Sequence, residues 1–297
     1  MSMIFGASAE EMESMTSLHQ NSRADTTQAD TDEFTDLLFT VLVAAAFIGT
    51  YQTCIFNILK TIFHQSYGTH RKDFRKIAYQ ITNLTVNAFL GIYGLYHYAF
   101  SVPPINSVPI TDRIAGFPEF STFGALQVGY NVWALPIGFF FMNEAPAMMA
   151  HHCAVICVGS ISCFCGNGFR YHAPFFFGAI EISSVPLAIM NFCKDNKALT
   201  DRHCPKVARV VKPVFAFIFL IVRVILWTPL IADVLRISGL LGMACDTVGC
   251  RVGIGSFWLS AFFLTLLQFY WAFAIVQAII KIIKGDDGRD KKKEKAA

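Results

Sequence analysis

The chain has 297 residues, of which 54% are hydrophobic and 15% charged, with 29 Phe and a formal net charge of +3. A soluble domain carries about 25% charged residues. Too few polar side chains remain to coat one or two soluble domains of this length, and the same numbers exclude disorder, collagen, coiled coil and a disulfide-dense secreted scaffold. The basic residues fall in separate short clusters, so no nucleic acid partner is expected, and the chain reads as an all-α polytopic membrane protein.

The first 34 residues are acidic and polar (Glu10, Glu11, Glu13, Asp25, Asp30, Asp32, Glu33). They lack the basic start and short apolar core of a signal peptide and are expected to form a disordered tail. The first span then acts as the insertion signal. A bilayer-crossing helix needs roughly 20 apolar residues. Seven stretches qualify: Leu37–Ile62, Ile77–Phe100, Ser121–Met142, Ala145–Cys165, Tyr171–Phe192, Val214–Leu235 and Ile254–Ile280. Only Asn143 and Glu144 separate the third from the fourth, which predicts a tight helical hairpin. No internal repeat is evident, which argues against an inverted-repeat transporter.

The basic residues give these spans a direction. Eighteen Lys and Arg lie in Lys60–Lys76, in Lys194–Lys212 and in the tail from Lys281, against five on the other side (Arg23, Arg113, Arg170, Arg236, Arg251). With seven spans, this bias puts the N-terminus in the lumen and the C-terminus in the cytosol. Cys245 and Cys250 then fall in a lumenal loop on the oxidising side. A disulfide closing that short loop is expected, with two unpaired thiols as the alternative. The other seven cysteines are scattered, without a CxxC pair, and read as small hydrophobes. Lys293 and Lys295 stand near the end of the cytosolic tail like a dilysine retrieval signal, which the retrieval coat would read. The bland alternative is a basic segment contacting anionic lipid.

Ionisable groups at bilayer depth are costly and mark candidate sites. Here they are His97, His151, His152, Glu181, Arg223 and Asp233. At about 1.5 Å of rise per residue, Glu181 and Arg223 both come out near mid-bilayer, where an ion pair would relieve both burial costs. The adjacent histidines point about 100° apart around their helix, so one of them faces any given cavity, where imidazole suits proton transfer. His97, beside Tyr96 and Tyr98, reads as interfacial. Asp233 reads as solvated or paired with Arg236. The Asn83-Leu84-Thr85 sequon lies inside the second span, beyond the reach of glycosylation.

Spacing rejects several alternatives. A di-iron membrane desaturase needs clustered histidines, whereas His19, His64, His70 and His203 are dispersed. Neither a Gly-x-Ser-x-Gly elbow nor a P-loop is present, and the signatures of seven-span receptors are missing. No metal and no cofactor are expected.

Five segments resemble the TLC-domain family, the endoplasmic-reticulum proteins that include ceramide synthases and their non-synthase relatives. They are Gly129-Tyr130, His151-His152, Glu181-Ile182-Ser183, Arg223 within an apolar run, and Gln268-Phe269-Tyr270-Trp271. The resemblance covers roughly residues 75 to 285 and implies a six-helix bundle around a lipid cavity, preceded by a leading helix. It divides the chain into a lumenal tail (1–34), a leading helix with a basic cytosolic loop (35–74), the TLC domain (75–285) and a basic cytosolic tail (286–297). Ser162, and Asn167 with Arg170 after a one-residue slip, resemble the ceramide synthase pattern. The His-Asp and second Asp of that pattern are absent, which leaves Glu181 as the nearby acid and places the chain outside the complete synthase subset.

On this resemblance the chain is expected to act in lipid metabolism at the endoplasmic reticulum. One reading is an acyltransferase: acyl-CoA is the substrate, His152 or His151 the general base, Glu181 its orienting acid, and a sphingoid base or other lipid the acceptor. Arg223, Asn167, Arg170 and Tyr130 would bind the substrate. A second reading is a non-catalytic protein that binds membrane lipids and regulates their composition. A third is a cargo receptor cycling between the endoplasmic reticulum and the Golgi. Changing Lys293 and Lys295 to Ser is expected to release the protein to the Golgi or the cell surface, and unchanged reticular staining would remove the retrieval signal from the account.

Overall fold

The computed structural model describes residues 29–165 and 168–284. Asn167, Lys293 and Lys295 lie outside the described residues, as does most of the expected N-terminal tail. Among the described residues the secondary structure is helical throughout. The principal helices are α1 (Ala29–Ile62), α2 (His64–Phe100), α3 (Ser121–Ile137), α4 (Pro146–Phe164), α5 (Ser184–Asp195), α6 (Pro205–Leu220), α7 (Trp227–Ala244) and α8 (Val248–Ile283). Residues 29–34, read above as tail, are therefore already helical.

Among the described residues, six stretches are long and apolar enough to cross a membrane: Glu33–Ile62, Ile110–Met142, Pro146–Phe164, Arg170–Asp195, Pro205–Ala244 and Val248–Ile283. The second expected span, Ile77–Phe100, forms a helix within α2 but is not among them. Its polar side chains explain the shortfall, because Gln80, Thr82 and Asn87 are buried against protein and need not meet lipid. α2 runs antiparallel to α1, with Tyr51 Oη 3.3 Å from Thr85 Oγ1 and the ring of Phe63 against that of Phe74. It therefore traverses the same layer as α1.

The third and fourth spans are joined by the expected tight turn. α3 runs on into a π-helical turn, Gly138–Met142, and Asn143 closes it in the left-handed region at φ 53°, a conformation Asn tolerates better than most residues. The reversal folds Glu144 back under the helix ends. The fifth span departs from a continuous helix. It is built from Arg170–His172, Ala173–Phe176, Ala179–Ser183 and α5, with Pro174 and Gly178 punctuating the start. The break has a packing cause. A Cβ on Gly94 would lie 2.3 Å from Gly178 Cα, and one on Gly91 would lie 2.7 Å from the Ile182 backbone nitrogen. α2 thus meets residues 178–182 backbone to backbone, an approach open only to small residues.

α6 and α7 form one long rod through a π-helical turn, Ile221–Leu226, that carries Arg223. At one end of the bundle the 101–120 connection folds inward as a cap. The Phe169 N–H donates to the Ile114 carbonyl at 2.9 Å, and Tyr171 Oη donates to the Pro103 carbonyl at 2.7 Å. Asp233, expected to be solvated or paired with Arg236, instead takes Arg113 at 2.6 Å and His172 at 3.0 Å. The inward fold of the connection delivers Arg113, a placement that spacing along α7 cannot reveal. At the same end Cys245 and Cys250 are disulfide-bonded, with Cα atoms 5.8 Å apart.

Replacing Gly94 by Val is expected to lower stability by about 1–3 kcal/mol, the usual cost of overpacking, read as a lower Tm of the purified protein in detergent. Gly249, around which a Cβ meets nothing within 4 Å, serves as the control, and Gly249→Ala should leave Tm unchanged or raise it.

Candidate functional site

Two adjoining cavities occupy the bundle. The larger, about 370 Å³, is lined by polar side chains of α2 (Asn83, Asn87), α3 (Gln127, Tyr130, Asn131), α4 (His151, His152), the 181–184 segment and Arg223, with Glu144 at one end. The smaller, about 60 Å³, is walled by apolar groups such as Val155, Val158, Phe169, Trp227 and Phe257. Gln127, His151, Glu181 and Arg223 line both. These four residues mark the boundary between a polar chamber and an apolar recess.

Arg223 is buried, at 7% exposure, and its guanidinium is held from several directions. Nε donates to Ser183 Oγ at 2.6 Å, Nη2 to Ser184 Oγ at 3.0 Å and Nη1 to Gln268 Oε1 at 3.3 Å. Glu181 Oε2 lies 3.6 Å from Nη2, so the ion pair expected from sequence is present. Glu181 in turn accepts from Gln127 Nε2 at 2.9 Å and from Ser184 Oγ at 2.5 Å. The π-helical turn at Ile221–Leu226 widens the rod where this side chain leaves it, a distortion common at functional sites.

The two histidines have different environments. His152 is buried, with Nδ1 2.6 Å from Asn131 Oδ1 and Nε2 3.4 Å from Glu144 Oε2. Asn131 is itself fixed by donating to the Gln127 carbonyl at 2.7 Å, and Tyr79 Oη donates to Glu144 Oε1 at 2.6 Å. Burial would raise the Glu144 carboxyl, but His152 and the Tyr79 hydroxyl outweigh it and hold it below the usual carboxylate range. His151, one residue earlier and turned toward the other cavity face, packs its ring against Trp271. Its Nδ1 is buried without a hydrogen-bond partner. Gln127 Oε1, which lines the same chamber, is likewise buried without a hydrogen-bond partner.

The structure therefore brings together His151, His152, Glu181, Arg223 and Tyr130. Tyr130 donates to Asn83 Oδ1 on the chamber wall. Arg170 is elsewhere: it reaches the Cys163 carbonyl at 3.3 Å and Glu33 of α1 at 2.9 Å. Glu181 touches neither histidine in any hydrogen bond. The acid beside the His pair is Glu144, which the sequence reading used only as a turn residue. Gln268 is marked in the sequence only as part of the last of the five resembling segments. Gln127 and His172 carry no signal beyond polarity inside an apolar span, which does not distinguish a chamber wall from a helix contact.

Arg223→Met is expected to destabilise the protein by about 3–5 kcal/mol, because it strands the Glu181 carboxylate in the interior. Adding Glu181→Gln should recover part of that loss, as read by Tm in detergent. A double variant no more stable than the single would show that the pair is not coupled.

No curated protein and no solved structure matches the chain. A family model described as the TLC domain matches residues 73–277, close to the boundaries drawn from the five segments, and it spans the whole of the chamber. The chain belongs to the TLC-domain family.

Proposed function

We propose that this membrane protein acts in lipid metabolism by acylating a lipid amine or hydroxyl, most directly a sphingoid base, with acyl-CoA as donor and His151 as the proton acceptor. One observation carries the reading: His151 Nδ1 and Gln127 Oε1 are buried at one chamber without hydrogen-bond partners. Unsatisfied buried polar atoms are costly, and a ligand end carrying N–H or O–H groups would satisfy them. A chamber of about 370 Å³ falls in the range of small-molecule sites, and the apolar recess beyond Arg223 would receive the first part of a hydrocarbon chain.

In the proposed step the acceptor nitrogen attacks the thioester carbonyl carbon while His151 Nδ1 takes its proton. The C–S bond breaks, coenzyme A leaves as the thiolate, and the proton returns to that sulfur. His152, tethered to Asn131 and Glu144, keeps the wall of the chamber in place. The excess of Lys and Arg in alternate connections supports a cytosolic C-terminus, and the dilysine-like tail supports residence in the endoplasmic reticulum.

A second reading, lipid binding without chemistry, is favoured by one observation. Both carboxylates of the chamber are already engaged, Glu181 by Arg223, Ser184 and Gln127, and Glu144 by Tyr79, so no acid orients His151. Labelled acyl-CoA and sphingoid base, given to the purified protein, separate the two. Acylation by the wild type and a loss of about 10²–10⁴-fold in His151→Ala, at unchanged Tm, is the expected result. Full activity in His151→Ala would remove that residue as the base. No product from the folded wild type, with a lipid copurifying, would establish the binding reading instead.

A further inference from the structure

A third cavity lies on the outside of the bundle. It is a groove of about 590 Å³ between α2, the 182–189 segment and α6, with walls almost wholly apolar: Ile92, Val185, Ile189, Val207, Val214 and Ile218 are representative. One charged residue lines it, Lys206 in the first turn of α6. The groove does not communicate with the chamber through shared residues, since Leu187 and Ala188 of α5 face the chamber while Val185 and Ile189 face the groove.

Its length and its charge both point to one kind of occupant. From Lys206 to Ile218 α6 rises about 18 Å at about 1.5 Å per residue, close to one leaflet of a hydrocarbon core about 30 Å thick. Lys206, Arg209 and Lys212 are all exposed on the first two turns of α6, and no described carboxylate forms an ion pair with them. The groove is thus an apolar channel one leaflet deep with its cationic end at headgroup level. A zwitterionic lipid brings a phosphate already balanced by its own ammonium group, whereas an anionic headgroup adds net negative charge that is attracted to each of these cations.

We propose that this groove is a binding site for an anionic glycerophospholipid of the leaflet on the α6 N-terminal side. One acyl chain lies against Val207, Val210 and Val214, and the phosphate sits at Lys206 and Arg209. The site is separate from the chamber and holds whether or not the chamber performs acyl transfer.

The full chain, reconstituted in nanodiscs of phosphatidylcholine doped with phosphatidylserine and released into detergent, can be read by native mass spectrometry. One phosphatidylserine should be retained in preference to phosphatidylcholine. The double variant Lys206→Glu with Arg209→Glu should lose that preference by at least ten-fold, at roughly five-fold per charge. Val210→Trp, which fills the groove from a lipid-facing position, should lower retention of both lipids while leaving Tm unchanged. Equal retention of the two lipids by the wild type would overturn the proposal. So would undiminished phosphatidylserine retention in either variant, and if one variant fails to fold the other decides.

Discussion

A guanidinium buried between membrane helices governs this structure. A charge at bilayer depth costs at least about 2.5–3.5 kcal/mol on insertion scales, and Arg223 is buried within the bundle. Its hydrogen bonds are found on Ser183, Ser184 and Gln268, and its counter-charge on Glu181. To supply those partners, the start of α5 and the middle of α8 must both converge on the π-helical turn between α6 and α7. The start of α5, the α6–α7 rod and α8 are thereby tied to one another through a single side chain.

That convergence requires backbone that does not follow a regular helix. The Ala179–Ser183 segment carrying Glu181 and Ser183 follows a break at Gly178, and it can occupy its position only because Gly91 and Gly94 of α2 present no side chain to it. Irregular backbone at membrane depth is tolerated where protein surrounds it or it lines a cavity, and here both conditions hold. Polar residues of α2 belong to the same arrangement: Asn83 and Asn87 line the chamber and engage Tyr130. The polarity that lowers the hydropathy of α2 is therefore used inside the bundle.

Within the chamber, the one-residue offset between His151 and His152 separates their roles. About 100° of helical rotation turns His152 into a closed set of partners (Asn131, Glu144 and, through Glu144, Tyr79), while His151 faces the boundary between polar chamber and apolar recess with a nitrogen unengaged. An amphiphile has the same division, a hydrogen-bonding end and a hydrocarbon end. His172, which pairs with Asp233, also lines the recess, whose walls are otherwise mostly apolar, while the polar contacts are made on the chamber side.

The membrane class, the positions of most spans, the hairpin at Asn143-Glu144, the Glu181–Arg223 pairing and the family are all legible in the order of residues alone. These follow from local quantities: apolar run length, charge at depth, and motifs in a fixed order along the chain. Helix packing settles which histidine has an unengaged nitrogen, that Glu144 and not Glu181 is the acid beside the pair, that Arg170 points to α1 rather than into the chamber, and that Asp233 is shared between Arg113 and His172. The physical reason is the same in each case. A polar residue in an apolar span announces that it needs a partner, but its partner is supplied by another helix, and the rotation and depth of that helix are set by packing contacts, such as Gly94 against Gly178, that leave no periodic trace in the chain.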